Sequence, residues 1–262
     1  MADEDDIDAS RAPLLDHLVE LRKRLLISLG SLAVLTAICL YFSETVFGVL
    51  VHPLKVAGQT KLIYTAPFEA FFVNLKIAFF SALILAFPVI ANQLWLFVSP
   101  GLYRKEKRAL LPFLLATPIL FAAGCSMAYF LAIPGALHFL LSYQTEVGGV
   151  KQEALPTMEA YLAFTMQFLF GFGVAFLMPV LLMLVERAGI VTLEQLVRAW
   201  RYAILGCFAV ALFLAPPDAG SMIMLALPLI ALYVLTLGAI WLTSRNRARA
   251  QAAEDAAEES AA

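Results

Sequence analysis

The chain has 262 residues, of which 62% are hydrophobic and only 15% are charged, whereas a soluble globular domain is nearer half apolar and a quarter charged. This composition excludes a water-soluble domain and indicates an integral membrane protein with several spans. The net charge of −2 says little about partners, because it averages over two membrane faces that have to be counted separately.

The N-terminal segment 1–12 is acidic, and we predict that it forms a disordered tail. We expect no cleavable signal peptide, because the residues before the first apolar run are acidic rather than basic. Glu20 then stands among three bases, Arg22, Lys23 and Arg24, at the mouth of that run. A simple membrane anchor needs only the bases, so the carboxylate calls for another explanation. His17 lies one helical turn from Glu20, and we expect a surface pair there rather than a shared metal.

Apolar runs long enough to cross a hydrocarbon core of ~30 Å predict one membrane domain over residues 13–242. Its six helical spans lie near 25–43, 70–97, 110–133, 161–185, 201–215 and 221–242. The fifth run has about 14 residues and would rise roughly 21 Å as a helix, which is short for a normal bilayer. A disordered tail is predicted for 243–262, which is acidic near its end.

A second lone carboxylate lies in the loop that follows the second span. Pro100 and Gly101 end that span, and Glu106 is surrounded by bases, namely Arg104, Lys105, Lys107 and Arg108. Glu20 and Glu106 either balance nearby positive charge or bind a ligand with two positive charges. A guanidinium suits the second interpretation, because a charge-assisted bond to a carboxylate contributes roughly 1.5–3 kcal/mol.

The distribution of basic residues predicts the orientation. Fourteen of the 18 Lys and Arg residues fall on the side that holds both termini, and only Lys55, Lys61 and Lys151 fall on the other. Because cytoplasmic loops are enriched in Lys and Arg, we expect both termini in the cytoplasm, which agrees with an even number of spans.

Motifs for catalysis, nucleotide binding and metal binding are absent from the sequence. Cys39, Cys125 and Cys207 lie in apolar segments and suit packing. Apart from Lys76, the cores of the predicted spans carry no Asp, Glu, Lys, Arg or His, which weighs against an ion-coupled carrier. We therefore expect no enzyme activity, no catalytic residue, no metal, no cofactor and no nucleic-acid partner. A solute transporter or channel, or a membrane assembly subunit, remains an alternative.

Three motifs resemble those of the TatC family, the receptor subunit of the twin-arginine protein translocase. His-Leu-Val-Glu-Leu-Arg-Lys-Arg-Leu at 17–25 is similar to the family's N-terminal motif. Phe-Val-Ser-Pro-Gly-Leu-Tyr, which begins at Phe97, is similar to its first cytoplasmic loop, and Pro-Pro-Asp at 216–218 to its last external hairpin. The similarity extends from about residue 14 to residue 242.

The resemblance implies an all-α integral membrane protein with six transmembrane helices, arranged as a concave bundle in which helices five and six are short. It implies binding of signal peptides with consecutive arginines at the cytoplasmic face, and export of folded proteins driven by the proton-motive force. The implied partners are the single-span subunits TatB and TatA, membrane lipids and further copies of this chain. The implied location is the bacterial cytoplasmic membrane.

The resemblance also assigns residues. Glu20 and Glu106 match the family's arginine-binding acids, and Arg22 and Phe97 match positions of the same receptor face. The further positions matched to functional family positions are Leu21, Pro53, Pro100, Tyr103, Arg108 and Asp218.

Four positions depart from the family pattern, all from polar to apolar. They are Leu177, Ala215, Met222 and Val234. A hydrogen bond between membrane helices contributes about 0.6–2 kcal/mol, so we expect partner docking near the last two spans to rely on packing.

Overall fold

A computed structural model describes the backbone of residues 2–59, 61–98, 107–142, 146–147, 150–151, 155–214 and 219–261. Side chains are described for residues 17–59, 61–97, 113–142, 155–213, 220, 222–223 and 225–245. Within these residues the chain is almost wholly helical, as its composition predicts.

The helices of the described residues, in chain order, are α1 Ala2–Tyr41, α2 Ser43–Val56, α3 Glu69–Val98, α4 Lys107–Met127, α5 Ile133–Leu141, α6 Met158–Ala175, α7 Met178–Arg187, α8 Leu193–Arg198, α9 Trp200–Leu214 and α10 Ala219–Ala261. A π-helical segment, Ala128–Ala132, joins α4 to α5. Two short strands, β1 Glu146–Val147 and β2 Val150–Lys151, pair antiparallel with Glu146 opposite Lys151.

Five helical segments of the described chain are long and apolar enough to cross a membrane. They are His17–Tyr41, Glu69–Phe97, Phe113–Leu141, Met158–Arg187 and Leu225–Arg245, and a shorter apolar helix covers Trp200–Phe213. The membrane class is thus confirmed. Six complete spans and cytoplasmic termini stay predictions.

The third span runs further than the sequence predicts. We predicted its end at residue 133, but helical backbone continues to Leu141. The π-helical segment lies directly before Pro134, and the backbone N–H of Ile133 bonds to the carbonyl of Ala128, five residues back. A π turn of this kind accommodates a proline that would otherwise interrupt the helix.

The connection between the first two predicted spans contains a further helix, α2. Helix α2 places Pro53 in its last turn, buried together with Leu50, Val51 and Leu54. The spacing of these residues gives α2 one apolar face, and the hydroxyl of Tyr161 donates to the carbonyl of Leu50 at 2.7 Å. Burial of that face therefore stabilises the helix despite its proline.

Both acidic ends of the chain have helical backbone where their composition predicts disorder. Helix α1 begins at Ala2 and α10 ends at Ala261. Acidic residues favour the N-terminal turns of a helix, and residues 243–261 contain neither proline nor glycine but many strong helix formers.

The described chain divides into two compact units, and the first comprises Met1–Ile119 and Glu153–Met166. In this unit α1 packs against α3 through a cluster in which Ala78 and Ala82 are fully buried beside Cys39. Small side chains let two membrane helices approach closely. Along residues 17–41 the opposite side of α1 is exposed, as expected of a helix that faces lipid.

The second unit comprises Leu120–Gln152 and Gln167–Ala262. Its glycines mark a close contact between α4 and α6, since a Cβ at Gly173 would lie 2.6 Å from the ring of Phe121. A Cβ at Gly124 would lie 2.5 Å from the carbonyl oxygen of Phe172. Neither position leaves room for a side chain.

Helix α9 is as short as the sequence predicts. Its 15 residues rise roughly 22 Å, less than a hydrocarbon core of ~30 Å. The side-chain amide of Gln167 on α6 donates to the carbonyl of Phe213 in the last turn of α9. The helix end thus receives a polar partner from within the protein, which lipid does not offer.

The glycine contact yields a stability prediction. Gly173→Ala adds one methyl group that meets Phe121, and we expect a loss of about 1–3 kcal/mol in unfolding free energy in detergent micelles. The matched control is Gly206→Ala, because among the described residues no atom outside its own helix backbone lies within 4 Å of a Cβ at Gly206. Alanine favours a helix over glycine, so the control should keep or raise stability. Equal stability of the two variants would contradict the packing described here.

Candidate functional site

The start of the apolar part of α1 and the end of α3 form the candidate site. The contacts pair Arg24 with Gln93 and His17 with Phe97, while the cluster further along pairs Cys39 with Ala78 and Ala82. Later residues of α1 thus meet earlier residues of α3, so the two helices run antiparallel. This places the motif at 17–25 beside Phe97.

Glu20 is held in an ion pair within α1. Its Oε1 accepts a hydrogen bond from Nη2 of Arg24 at 2.9 Å. The two residues are four apart, and a helix places such side chains next to each other. Glu20 is 32% exposed and Arg24 is 24% exposed, so the carboxylate is accessible to a ligand and the arginine lies deeper.

Arg24 also joins α1 to α3. Its Nη1 donates to Oε1 of Gln93 at 3.3 Å. Its Nε is buried and has no hydrogen-bond partner among the described residues. One guanidinium therefore bridges a carboxylate of α1 and an amide oxygen of α3, a function for Arg24 and Gln93 that was not predicted from the sequence. A signal was present: a glutamine near the end of a membrane helix needs a polar partner.

The aromatic pair lies beside this ion pair along the same two helices. The rings of His17 and Phe97 stack with centroids 4.4 Å apart and an angle of 23° between their planes. Phe97 is thereby fixed at the end of α3. The motif that begins at Phe97 predicts its place at the site, but nothing in the sequence connects Phe97 with His17.

The structure separates Arg22 from Glu20. Residues two apart on a helix do not face each other, and Arg22 instead lines an open groove of about 420 Å³ with Lys23, Val19, Leu26 and Ile27. Leu21 is 41% exposed. Of the motif at 17–25, only Glu20 and Arg24 therefore take part in the ion pair beside α3.

Several residues assigned by resemblance cannot be compared with this geometry. Glu106, Pro100, Tyr103, Asp218 and Ala215 lie outside the described residues, and only the backbone of Arg108 is described, within α4.

A second polar cluster, also missed from sequence, lies at the other end of α3. Glu69 is 5% exposed, and its Oε2 accepts bonds from the backbone N–H and hydroxyl of Thr65 at 2.6 and 2.9 Å and from the backbone N–H of Ala66 at 3.3 Å. Its Oε1 accepts from the backbone N–H of Glu159, the second residue of α6, at 3.0 Å. An acid in the first turn of a helix after Thr-Ala-Pro is a signal for such a cap.

Neighbouring contacts reinforce this junction. Lys76 forms an ion pair with Glu159. Ile63 and Thr157 form a parallel bridge, in which the backbone N–H of Met158 donates to the carbonyl of Ile63 at 3.0 Å. We call these contacts with the Glu69 bonds the Glu69 junction; it fastens the residues before α3 to the start of α6.

The second unit contains an apolar cavity of about 450 Å³ between α6, α7, α9 and α10. Residues that line it include Val174, Met178, Gly206, Cys207, Leu229 and Tyr233. The hydroxyl of Tyr233 is already bonded to the carbonyl of Leu196 at 2.8 Å.

Three of the four positions that depart from the family pattern lie within the described residues. Leu177 lies at the break between α6 and α7, and Met222 lies near the start of α10. Val234, also on α10, is 60% exposed.

The chain matches the family model described as Sec-independent protein translocase protein (TatC) over residues 16–228. It is 43% identical over 248 residues to the Sec-independent protein translocase protein TatC of Magnetococcus marinus, covering 94% of this chain and 90% of the relative. It is 37% identical over 244 residues to the Aquifex aeolicus protein of the same name, covering 92% and 100%. A solved structure, the twin arginine translocase receptor TatC in DDM, superposes with a TM-score of 0.74 at 36% identity, covering 84% of this chain and 97% of that one.

The Glu69 junction gives a prediction. Glu69→Gln replaces one acceptor oxygen by an NH₂ group, which faces N–H donors and leaves at least one of them unpaired. We expect the midpoint of thermal unfolding to fall by several degrees. The control is Glu44→Gln, another acid in the first turn of a helix, but exposed. Equal midpoints for the two variants would show that the hydrogen bonds of the Glu69 carboxylate add nothing to stability.

Proposed function

We propose a signal-receptor function from the premise that the chain belongs to the TatC family of Sec-independent protein translocase proteins. The chain is accordingly a multi-pass membrane component of the bacterial twin-arginine translocation system. In our proposal it binds signal peptides that carry two consecutive arginines, at the face formed by the start of α1 and the end of α3.

The ion pair between Glu20 and Arg24 is the observation that carries this proposal. A guanidinium already binds this carboxylate, at 2.9 Å, so the local geometry accepts one. In the part of the chain that the structure describes, no second cation binds Glu20, and its carboxylate remains partly exposed. One oxygen is therefore open to an arginine from outside the chain.

The second arginine of the peptide is assigned to Glu106. Two separate carboxylates bind two guanidinium groups better than one acid does, since each charge-assisted bond contributes roughly 1.5–3 kcal/mol. Lysine would bind less well, because its ammonium is a compact, strongly hydrated charge without the planar fork of arginine. This chemistry supports discrimination between Arg-Arg and Lys-Lys peptides.

The neighbouring residues have supporting functions in the proposal. Phe97, held by His17, offers a ring face to the signal peptide beside Glu20. Leu21, Pro100, Tyr103 and Arg108 are assigned to the same cytoplasmic face by family resemblance, whereas Arg22 acts from another side of α1. Pro53 and Asp218 are assigned to the external side, where Pro53 acts through its burial in α2.

Partner subunits are proposed to dock on the second unit. TatA- and TatB-type proteins have a single apolar span, and the apolar cavity beside α9 and α10 offers packing rather than hydrogen bonds. The apolar side chains of Leu177 and Val234 also favour docking by packing rather than by hydrogen bonds. We further propose that the chain associates with copies of itself in a larger complex and that the proton-motive force supplies the energy. Both termini are proposed to lie in the cytoplasm, and the excess of Lys and Arg on that side of the membrane supports this orientation.

Binding of an Arg-Arg signal peptide beside its Lys-Lys variant tests the function. With the purified full chain in nanodiscs, we expect at least tenfold tighter binding of the Arg-Arg peptide. We expect Glu106→Gln to weaken that binding about tenfold or more, and Glu20→Gln to weaken it to a lesser degree.

The chain offers a matched control in Glu194→Gln. Glu194 pairs with Arg198 at the same i, i+4 spacing, but both side chains are 82% exposed and lie on α8. The control should bind as the unaltered chain does. Equal binding of the two peptides would refute the receptor function, and unchanged binding by the double variant of Glu20 and Glu106 would refute the assignment of the acids.

A further inference from the structure

We infer that Arg24 and Gln93 are positioning residues that orient the Glu20 carboxylate, so that the receptor selects arginine over lysine. This inference rests on the proposed function and deepens it. Neither residue is assigned a function by resemblance, and neither is proposed to touch the signal peptide.

The arrangement around Arg24 is more than a surface ion pair. The comparison within this chain is the pair of Glu194 and Arg198, which has the same spacing but both side chains 82% exposed. Arg24 is only 24% exposed and reaches a third residue, Gln93, on another helix. An ion pair as exposed as that of Glu194 and Arg198 restricts its side chains little. The guanidinium of Arg24 bridges two helices and is therefore held in one position.

The buried Nε of Arg24 points to the same conclusion. This atom has no hydrogen-bond partner among the described residues, and burying a donor without a partner is costly. The guanidinium is thus held where Glu20 and Gln93 require it, rather than where its own donors are best satisfied. Oε1 of Glu20 remains occupied by Arg24, and the other carboxylate oxygen keeps one defined direction.

A fixed carboxylate favours arginine over lysine because the two cations differ in the geometry of their donors. The cation of Arg24 lies beside the binding oxygen, so an incoming cation is partly repelled, whether it is an ammonium or a guanidinium. A guanidinium offsets this repulsion with several N–H donors in a rigid fork, provided that the acceptor has the correct orientation. An ammonium gains little from that orientation, because its three donors rotate.

Substitution of Arg24 by lysine separates charge from orientation. Arg24→Lys keeps the positive charge, but an ammonium lacks the two nitrogens that reach Glu20 and Gln93 at once. Gln93→Leu removes only the acceptor on α3 and leaves the pair in α1 intact. Gln93→Glu keeps an acceptor for Arg24 and is the conservative variant.

The experiment measures dissociation constants of Arg-Arg and Lys-Lys signal peptides for each full-length variant in nanodiscs. We expect Arg24→Lys and Gln93→Leu to weaken Arg-Arg binding about tenfold and to leave Lys-Lys binding unchanged, so that the ratio of the two constants falls toward one. Gln93→Glu should retain the ratio of the unaltered chain, and so should the control Arg198→Lys.

The outcomes are distinct. A ratio near one in the unaltered chain would refute the proposed function itself. If the unaltered chain prefers the Arg-Arg peptide and both Arg24→Lys and Gln93→Leu keep that preference, the inference that Arg24 and Gln93 position Glu20 would be overturned. A purely structural effect would weaken both peptides equally and lower the thermal midpoint, and that result would overturn the inference as well.

Discussion

The absence of water from the bilayer core is the constraint on which the rest of the structure depends. Every polar group there has to find a partner within the protein. Helix α3 meets this demand at its two ends, where Glu69 joins the start of α6 and Gln93 joins α1 through Arg24. These two residues are separated by ~36 Å along the helix axis, slightly more than the hydrocarbon core. Elsewhere Gln167 supplies a partner to the short helix α9.

The same constraint explains where a receptor for charged peptides can lie. Burying an unpaired charge is expensive, whereas a charge at the helix mouth remains hydrated. Glu20 is half-buried at such a mouth, with one oxygen bonded to Arg24 and with Phe97 nearby on α3. The arrangement holds the carboxylate in a defined direction at the helix mouth. The four positions that depart from the family pattern, in contrast, are apolar in this chain and suit packing.

The sequence predicts the features that depend on composition and leaves out those that depend on contact. Runs of apolar residues located the spans, and the length of the fifth run predicted the shortness of α9. Residues 133–141 are mostly apolar, but Pro134 and Gly135 normally interrupt a helix. The third span continues past them through a π turn, which has no signal in the sequence. The bond between Arg24 and Gln93 joins residues 69 apart in the chain, and only the antiparallel packing of α1 and α3 brings them together.

A double-mutant cycle between receptor and peptide tests the central claim most directly. It combines Glu20→Gln with replacement of each signal arginine, one at a time, by glutamine and compares the four binding free energies. We predict a coupling of about 1–3 kcal/mol between Glu20 and one of the two arginines, and a value near zero for the other. Additive effects at both arginines would contradict direct binding of an arginine by Glu20.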